Sequence, residues 1–264
     1  MGIVLRGEWM KYLVSAYSDI GNKKKTNQDS VLVEVADWHS SQIVFGMICD
    51  GMGGLDKGEL ASATVIRAFS EWFRYDFPQM LENGFSEEVL FARWRELLLA
   101  QNSRIGEYGH TQGIELGTTA VGLLIYDGRY YLANVGDSRA YRLAEELTQL
   151  TKDQTFVQRE MDAGRMTMEE ARVDARRNML LQCVGASEYL EPEFASGEVM
   201  PGQVYMLCSD GFRHIITEEE IYEQLCPQVL ATEQDMLENA AYLTELNKYR
   251  KEEDNISVAV IKTC

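Results

Sequence analysis

The 264-residue chain is short of several things, and each shortage narrows the chemistry open to it. It has three histidines, His39, His110 and His214, far apart in sequence, which argues against a histidine-rich zinc site. Its five cysteines (Cys49, Cys183, Cys208, Cys226 and Cys264) are odd in number and form no CxxC pair, so neither a zinc nor a disulfide framework is indicated. Cys49 and Cys208 lie inside apolar runs and read as buried thiols of a reducing compartment. Only four prolines and no repetitive tract speak against a disordered chain. Positive charge is scarce: 25 Lys and Arg face 42 Asp and Glu, leaving a formal net charge of -17. That field repels a phosphate polyanion and argues against nucleic-acid binding. No apolar run reaches the length of a membrane span. The opening stretch MGIVLRGEWMKYLV is interrupted by Arg6, Glu8 and Lys11, unlike a signal peptide, and Arg6 stands where a myristoylation motif needs Ser or Thr. The expectation is a cytoplasmic protein with no membrane or nucleic-acid partner.

What is present is a series of strands and amphipathic helices. Residues 12–18, 31–36 and 43–49 are β-branched and apolar, and the last is a continuous apolar run of the kind a fully buried strand shows. A glycine-rich turn at Gly51, Gly53 and Gly54 follows. Helical spacing marks 58–75 and 86–107, with Ser86 as the cap of the second and Pro78 and Asn83-Gly84 as the break between them. Strands return at 118–126 and 129–135 around the hairpin signal Asp127-Gly128, then at 139–143 and 148–151. Residues 153–178 are polar and periodic enough for two short helices around Gly164, which suggests a flap over about 153–190. A strand at 203–208, helices at 217–225 and 232–249, and a final strand at 256–262 complete the order. Hairpins outnumber crossovers. The expected fold is therefore α/β in the α+β sense: one domain over 1–264, built as a four-layer α-β-β-α sandwich of two largely antiparallel sheets.

Several aspartates stand at strand ends beside glycine or asparagine: Asp50-Gly51, Gly136-Asp137, Asp210-Gly211 and Asp254-Asn255, with Asp29 just before a strand. Each alone is an ordinary turn. Together they place carboxylates where strands open into loops, with glycines that allow a ligand to approach the main chain. Carboxylates without a counter-charge repel one another unless a cation holds them, and oxygen-only ligands suit Mg²⁺, Mn²⁺ or Ca²⁺.

Seven segments make the pattern specific: SDIGNKKKTNQDS (18–30), CDGMGGLDKGELAS (49–62), GTTA (117–120), ANVGDSRAYRL (133–143), LTKDQT (150–155), LCSDGF (207–212) and DNISVAV (254–260). In kind and order they resemble the bacterial form of the metal-dependent protein phosphatases, also called type 2C. The resemblance implies that Asp50 bridges two metal ions, that the Gly51 carbonyl ligates one of them, and that Asp210 and Asp254 complete the pair. It implies that Asp29 orients a metal-bound water, that Asp137 with Asp210 supports a third, weaker ion, and that the ions are Mg²⁺ or Mn²⁺. A hydroxide formed on two such ions would attack phosphorus in line, without a phosphoenzyme.

The chain departs from that family in four places. Lys24 stands where an arginine usually clamps the substrate phosphate, and lysine lacks the planar fork. Gln28 replaces a common glutamate and removes a charge, which should lower metal affinity. Met52 replaces the histidine that acts as general acid in eukaryotic members, and His214 reads as a surface or helix-start residue rather than its substitute. Leu181-Gln182 replace a usual Thr-Arg pair in RRNMLLQCVG (176–185), which bears on substrate access. The resemblance implies a hydrolase that removes phosphate from Ser and Thr of phosphorylated proteins, partnered with a eukaryotic-type Ser/Thr kinase or its substrates; a monomer is the expectation. The alternatives are a pseudophosphatase that binds phosphoproteins without turnover, favoured by Lys24 and Gln28, and a hydrolase of small phosphoesters.

Overall fold

The computed structural model describes residues 10–39, 41–52 and 57–264. Of the glycine-rich turn, Gly53 and Gly54 lie outside the described residues, as does most of the N-terminal stretch. Two five-stranded sheets are formed, and every pairing in them is antiparallel. The first sheet has the order β1-β10-β9-β6-β7, with β1 Tyr12–Asp19, β6 Arg139–Leu143, β7 Leu147–Gln149, β9 Val204–Cys208 and β10 Ile256–Thr263. The second has the order β2-β3-β4-β5-β8, with β2 Ser30–Trp38, β3 Ser41–Cys49, β4 Ala120–Tyr126, β5 Arg129–Val135 and β8 Glu193–Glu198.

The apolar runs are continuous because both faces of the central strands are buried. On β3, Ile43, Phe45, Met47 and Cys49 face a core shared with α1 (Gly58–Glu71) and α3 (Glu87–Gln112). The alternate residues Val44 and Ile48 face the other sheet. On β10, Ile256, Val258 and Val260 pack against α7 (Glu218–Leu225) and α8 (Glu233–Tyr249), while Ala259 and Ile261 face the sheet–sheet core. Three cores thus separate four layers, helices outermost, as the sequence pattern predicted. The Asp127-Gly128 hairpin turn has positive φ at both residues (50° and 71°), the geometry that an Asp-Gly pair favours.

Three features differ from the sequence reading. The first helix does not break at Pro78: it passes through a π turn, Trp72–Asp76, and continues as α2 (Phe77–Glu82). Phe77 N–H bonds back to the Trp72 carbonyl, so the widened turn comes immediately before Pro78, which falls in the first turn of α2, where a missing N–H is tolerated. The true break is at Asn83–Ser86, and α3 then runs on to Gln112, where Gly113 caps it with φ of 67°. Strand β8 was not foreseen. Its sequence, EFASGE, has no apolar alternation, and it is held by backbone pairing to β5, with Gly197 lying under the Tyr130 ring. Lastly, Asp210-Gly211 is not a simple turn but opens the one-turn helix α6 (Asp210–Arg213). Between β7 and β8 lie α4 (Phe156–Asp162) and α5 (Met168–Val173), the two short helices expected around Gly164.

Candidate active site

The five aspartates come from both sheets. Asp29 precedes β2 and Asp50 follows β3, in one sheet, while Asp210 follows β9 and Asp254 precedes β10, in the other. Asp137 lies in the link from β5 to β6, where the chain passes between sheets. Lys24, Asp50, Asp137, Asp210 and Asp254 line one pocket of about 260 Å³ with Met52, Thr119, Asn178 and Leu180. A larger groove of about 1210 Å³ along β2, α1 and α3 contains none of these aspartates.

Local backbone geometry explains why glycine follows Asp50 and Asp210. A Cβ on Gly51 would stand 2.5 Å from the carbonyl oxygens of both Gln28 and Gly58. A Cβ on Gly211 would stand 2.2 Å from the Asn255 carbonyl. The loops therefore close directly on one another, main chain to main chain. Asp50 is held through its backbone: its N–H donates to Thr119 Oγ1 (3.0 Å), and its carbonyl accepts from Thr118 Oγ1 and the Thr119 N–H (2.9 Å each). Gly51 N–H donates to the Gln28 carbonyl at 3.2 Å. Among the described residues its own carbonyl accepts no hydrogen bond.

The electrostatics are unfavourable without a cation. Burial, reinforced by Asp29, Asp210, Asp254 and Asp137, pushes the Asp50 carboxyl well above the usual carboxylate range. Asp210 is raised by burial and then by Asp254. Asp137 is pushed up to about 7 by burial and Asp210, against the lowering effect of Arg213. Asp29 is pushed up to about 6 by burial, although hydrogen bonds from Ser257 and Ser209 pull the other way. Ser209 Oγ donates to Asp29 Oδ2 at 2.9 Å, and Oδ1 of Asp29 and Oδ1 of Asp210 are buried without partners. Four carboxylates against one ammonium in the pocket lining, with partnerless buried oxygens, fit hard divalent cations. Among the described residues no three His, Cys, Asp or Glu side chains already stand at the spacing of one ion's shell.

Lys24 and Gln28 can now be placed. Lys24 Nζ lies 2.7 Å from Asp254 Oδ1, so the residue expected at the phosphate is here paired with an expected metal ligand. Burial alone would lower its pKa, but the Asp254 hydrogen bond and the charges of Asp254, Asp50 and Asp210 raise it overall. Gln28 packs its amide against Gly58 and gives its carbonyl to Gly51. His214 follows α6, half-exposed, with Nδ1 3.4 Å from Glu252 Oε2, and that contact raises its pKa.

The sequence reading missed two residues. Asn255 accepts from the Gln28 N–H (2.9 Å) and donates from Nδ2 to the carbonyls of Ile20 (2.9 Å) and Thr26 (3.3 Å), tying the lysine-bearing loop to β10. Only its place beside Asp254 hinted at this. Arg213 donates from Nη2 to the Asp137 carbonyl at 2.7 Å, a contact across 76 residues that no local pattern announces.

Comparison with known proteins bears on the family and the fold. The profile of the family described as Protein phosphatase 2C matches residues 21–249. The serine/threonine protein phosphatase PstP of Mycobacterium tuberculosis is 34% identical over 250 residues, covering 93% of this chain. This chain spans only 44% of that relative's length. The Streptococcus agalactiae serine/threonine phosphatase structure superposes with a TM-score of 0.79 at 27% identity, covering 96% of this chain and 99% of that one. The PstP catalytic domain in complex with two manganese ions has a TM-score of 0.77 at 32% identity, covering 96% and 99%.

Proposed function

The chain belongs to the protein phosphatase 2C family, and from that premise we propose that it is a metal-dependent protein phosphatase that hydrolyses phosphoserine and phosphothreonine. The observation that carries this reading is the convergence of Asp50, Asp137, Asp210 and Asp254 on one pocket, where Asp210 Oδ1 is buried without a partner. Asp50, the Gly51 carbonyl, Asp210 and Asp254 would hold a pair of Mg²⁺ or Mn²⁺ ions. Bound ions would acidify a water for in-line attack on phosphorus and offset charge on the phosphoryl oxygens. The solved PstP domain with two manganese ions supports Mn²⁺ as the ion to try first.

The chain's own residues then have separable tasks. Asp29 keeps Oδ1 free while Ser209 holds Oδ2, so it would accept a hydrogen bond from the attacking water and orient it. Lys24 would leave Asp254 for the substrate phosphate, as a point charge rather than a fork. Thr118 and Thr119 fix the backbone of Asp50, so the carboxylate does not have to reorganise when it takes a ligand. The substrates we infer are phosphorylated proteins, among them a Ser/Thr kinase and its targets. We place the monomeric enzyme in the cytoplasm. The described residues contain no helix long and apolar enough to cross a membrane.

The test is phosphate release from a phosphothreonine peptide by the purified chain, with and without millimolar Mn²⁺. Release that requires the ion and stops with EDTA supports the enzyme. Peptide binding without release would replace it with the pseudophosphatase, and turnover of small esters in preference to the peptide would replace it with the small-ester hydrolase.

A further inference from the structure

Arg213 is buried against Asp137, one of the two carboxylates that the family pattern would give to a third ion. It is the last residue of α6, and its side chain is only 14% exposed. Nη2 donates to the Asp137 carbonyl at 2.7 Å and stands 3.9 Å from Asp137 Oδ2 and 3.6 Å from Asp153 Oδ2. Asp153 in turn holds Arg139 by two bonds of 2.7 Å, from Nε to Oδ1 and from Nη2 to Oδ2. The four side chains form a set of two positive and two negative charges, largely removed from water. The guanidinium is anchored to a main-chain oxygen, so its position does not depend on the charge of the Asp137 carboxylate.

We propose that Arg213 supplies from within the chain the positive charge that a third divalent ion would bring to Asp137, so that the centre takes two ions rather than three. A guanidinium is charged at every accessible pH and cannot withdraw by losing its proton. A dication on the Asp137 carboxylate would stand within a few ångströms of it, in a place where water screens poorly, and like charges there repel strongly. Asp137 would still contribute its field to the pocket, already compensated. The inference rests on Asp50, Asp210 and Asp254 holding the pair of ions. It differs from the phosphatase reading in what it predicts, because it concerns the ion count and not turnover.

Mn²⁺ binding to the purified chain, counted by the electron paramagnetic resonance of free Mn²⁺ and by calorimetry, tests it. The expected counts are two ions for the natural chain, two for Asp137→Asn and three for Arg213→Gln, with third-site binding about 100-fold tighter in Arg213→Gln than in the natural chain. A third ion in the natural chain that Asp137→Asn removes would overturn the proposal. So would a folded Arg213→Gln that still takes two. If Arg213→Gln fails to fold, the count on the natural chain decides: two ions support the proposal and three overturn it. A natural chain that binds two ions but releases no phosphate sinks the phosphatase reading and leaves this one standing. A chain that binds none overturns both.

Discussion

The Lys24 ammonium and the Asp254 carboxylate are joined at 2.7 Å across 230 residues of chain, and the link ties a substrate-side cation to a metal-side anion. Lys24 can serve only one of two partners at a time. Lys24→Met should therefore tighten Mn²⁺ by freeing Asp254, yet lower kcat/KM for a phosphopeptide by about 10- to 100-fold, the cost of one charge-assisted hydrogen bond. Lys24→Arg should lower KM by restoring a two-point grip. Calorimetry and steady-state kinetics on the same preparations read the two effects separately, and an unchanged KM in both variants would remove Lys24 from the phosphate site.

Asp50→Asn and Asp210→Asn should abolish Mn²⁺-dependent turnover while raising metal-free stability. Each replaces a buried carboxylate that its neighbours repel with a neutral amide of the same shape. A gain of about 1–2 kcal/mol corresponds to several degrees in Tm for a chain of this size. Thermal melts in EDTA check it, and a lower Tm in both variants would show that the carboxylates are not under strain.

The metal-free protein should lose stability as pH rises through neutrality. Asp29 and Asp137 have folded-state pKa values of about 6 and about 7, above the ordinary 3.8. The folded state therefore binds the proton more tightly than the unfolded chain does. That contribution is full below the ordinary value and is lost as pH climbs through about 6 and then about 7. His214, raised by Glu252, adds a loss of the same sign. In EDTA, Tm should fall between pH 5 and 8. Mn²⁺ should flatten that slope, because a bound cation takes over from the proton. A Tm that rises with pH in EDTA would contradict the account.

Asn255→Ala should loosen the loop that carries Lys24. Three main-chain groups, the Gln28 N–H and the carbonyls of Ile20 and Thr26, would lose their partner, at a cost of about 2–3 kcal/mol. Melting should register that loss. Faster amide exchange over residues 20–28, with little change elsewhere, is the more telling readout.

The strands were legible because β3, β9 and β10 are buried on both faces, and a run such as IVFGMIC has few other uses. The aspartates were legible because a carboxylate at the end of such a strand is costly without a purpose. Strand β8 was hidden because Glu193–Glu198 is held by main-chain pairing, which leaves no mark on side-chain pattern. The π turn was hidden because helical spacing continues through Trp72–Asp76 with little change of apolar face. Arg213 and Asn255 were hidden for a third reason. What matters in them is the partner, and the partners lie 76 and up to 235 residues away.

Because Asp29 and Asp50 hang from one sheet and Asp210 and Asp254 from the other, the pocket sits on the seam between the two halves of the sandwich. An ion gripped from both sides would act as a rivet. The sheets could then slide or part only by tearing it out. Under a pulling force the same chain would behave as two different materials, yielding sheet by sheet when stripped of metal and breaking late and all at once when loaded.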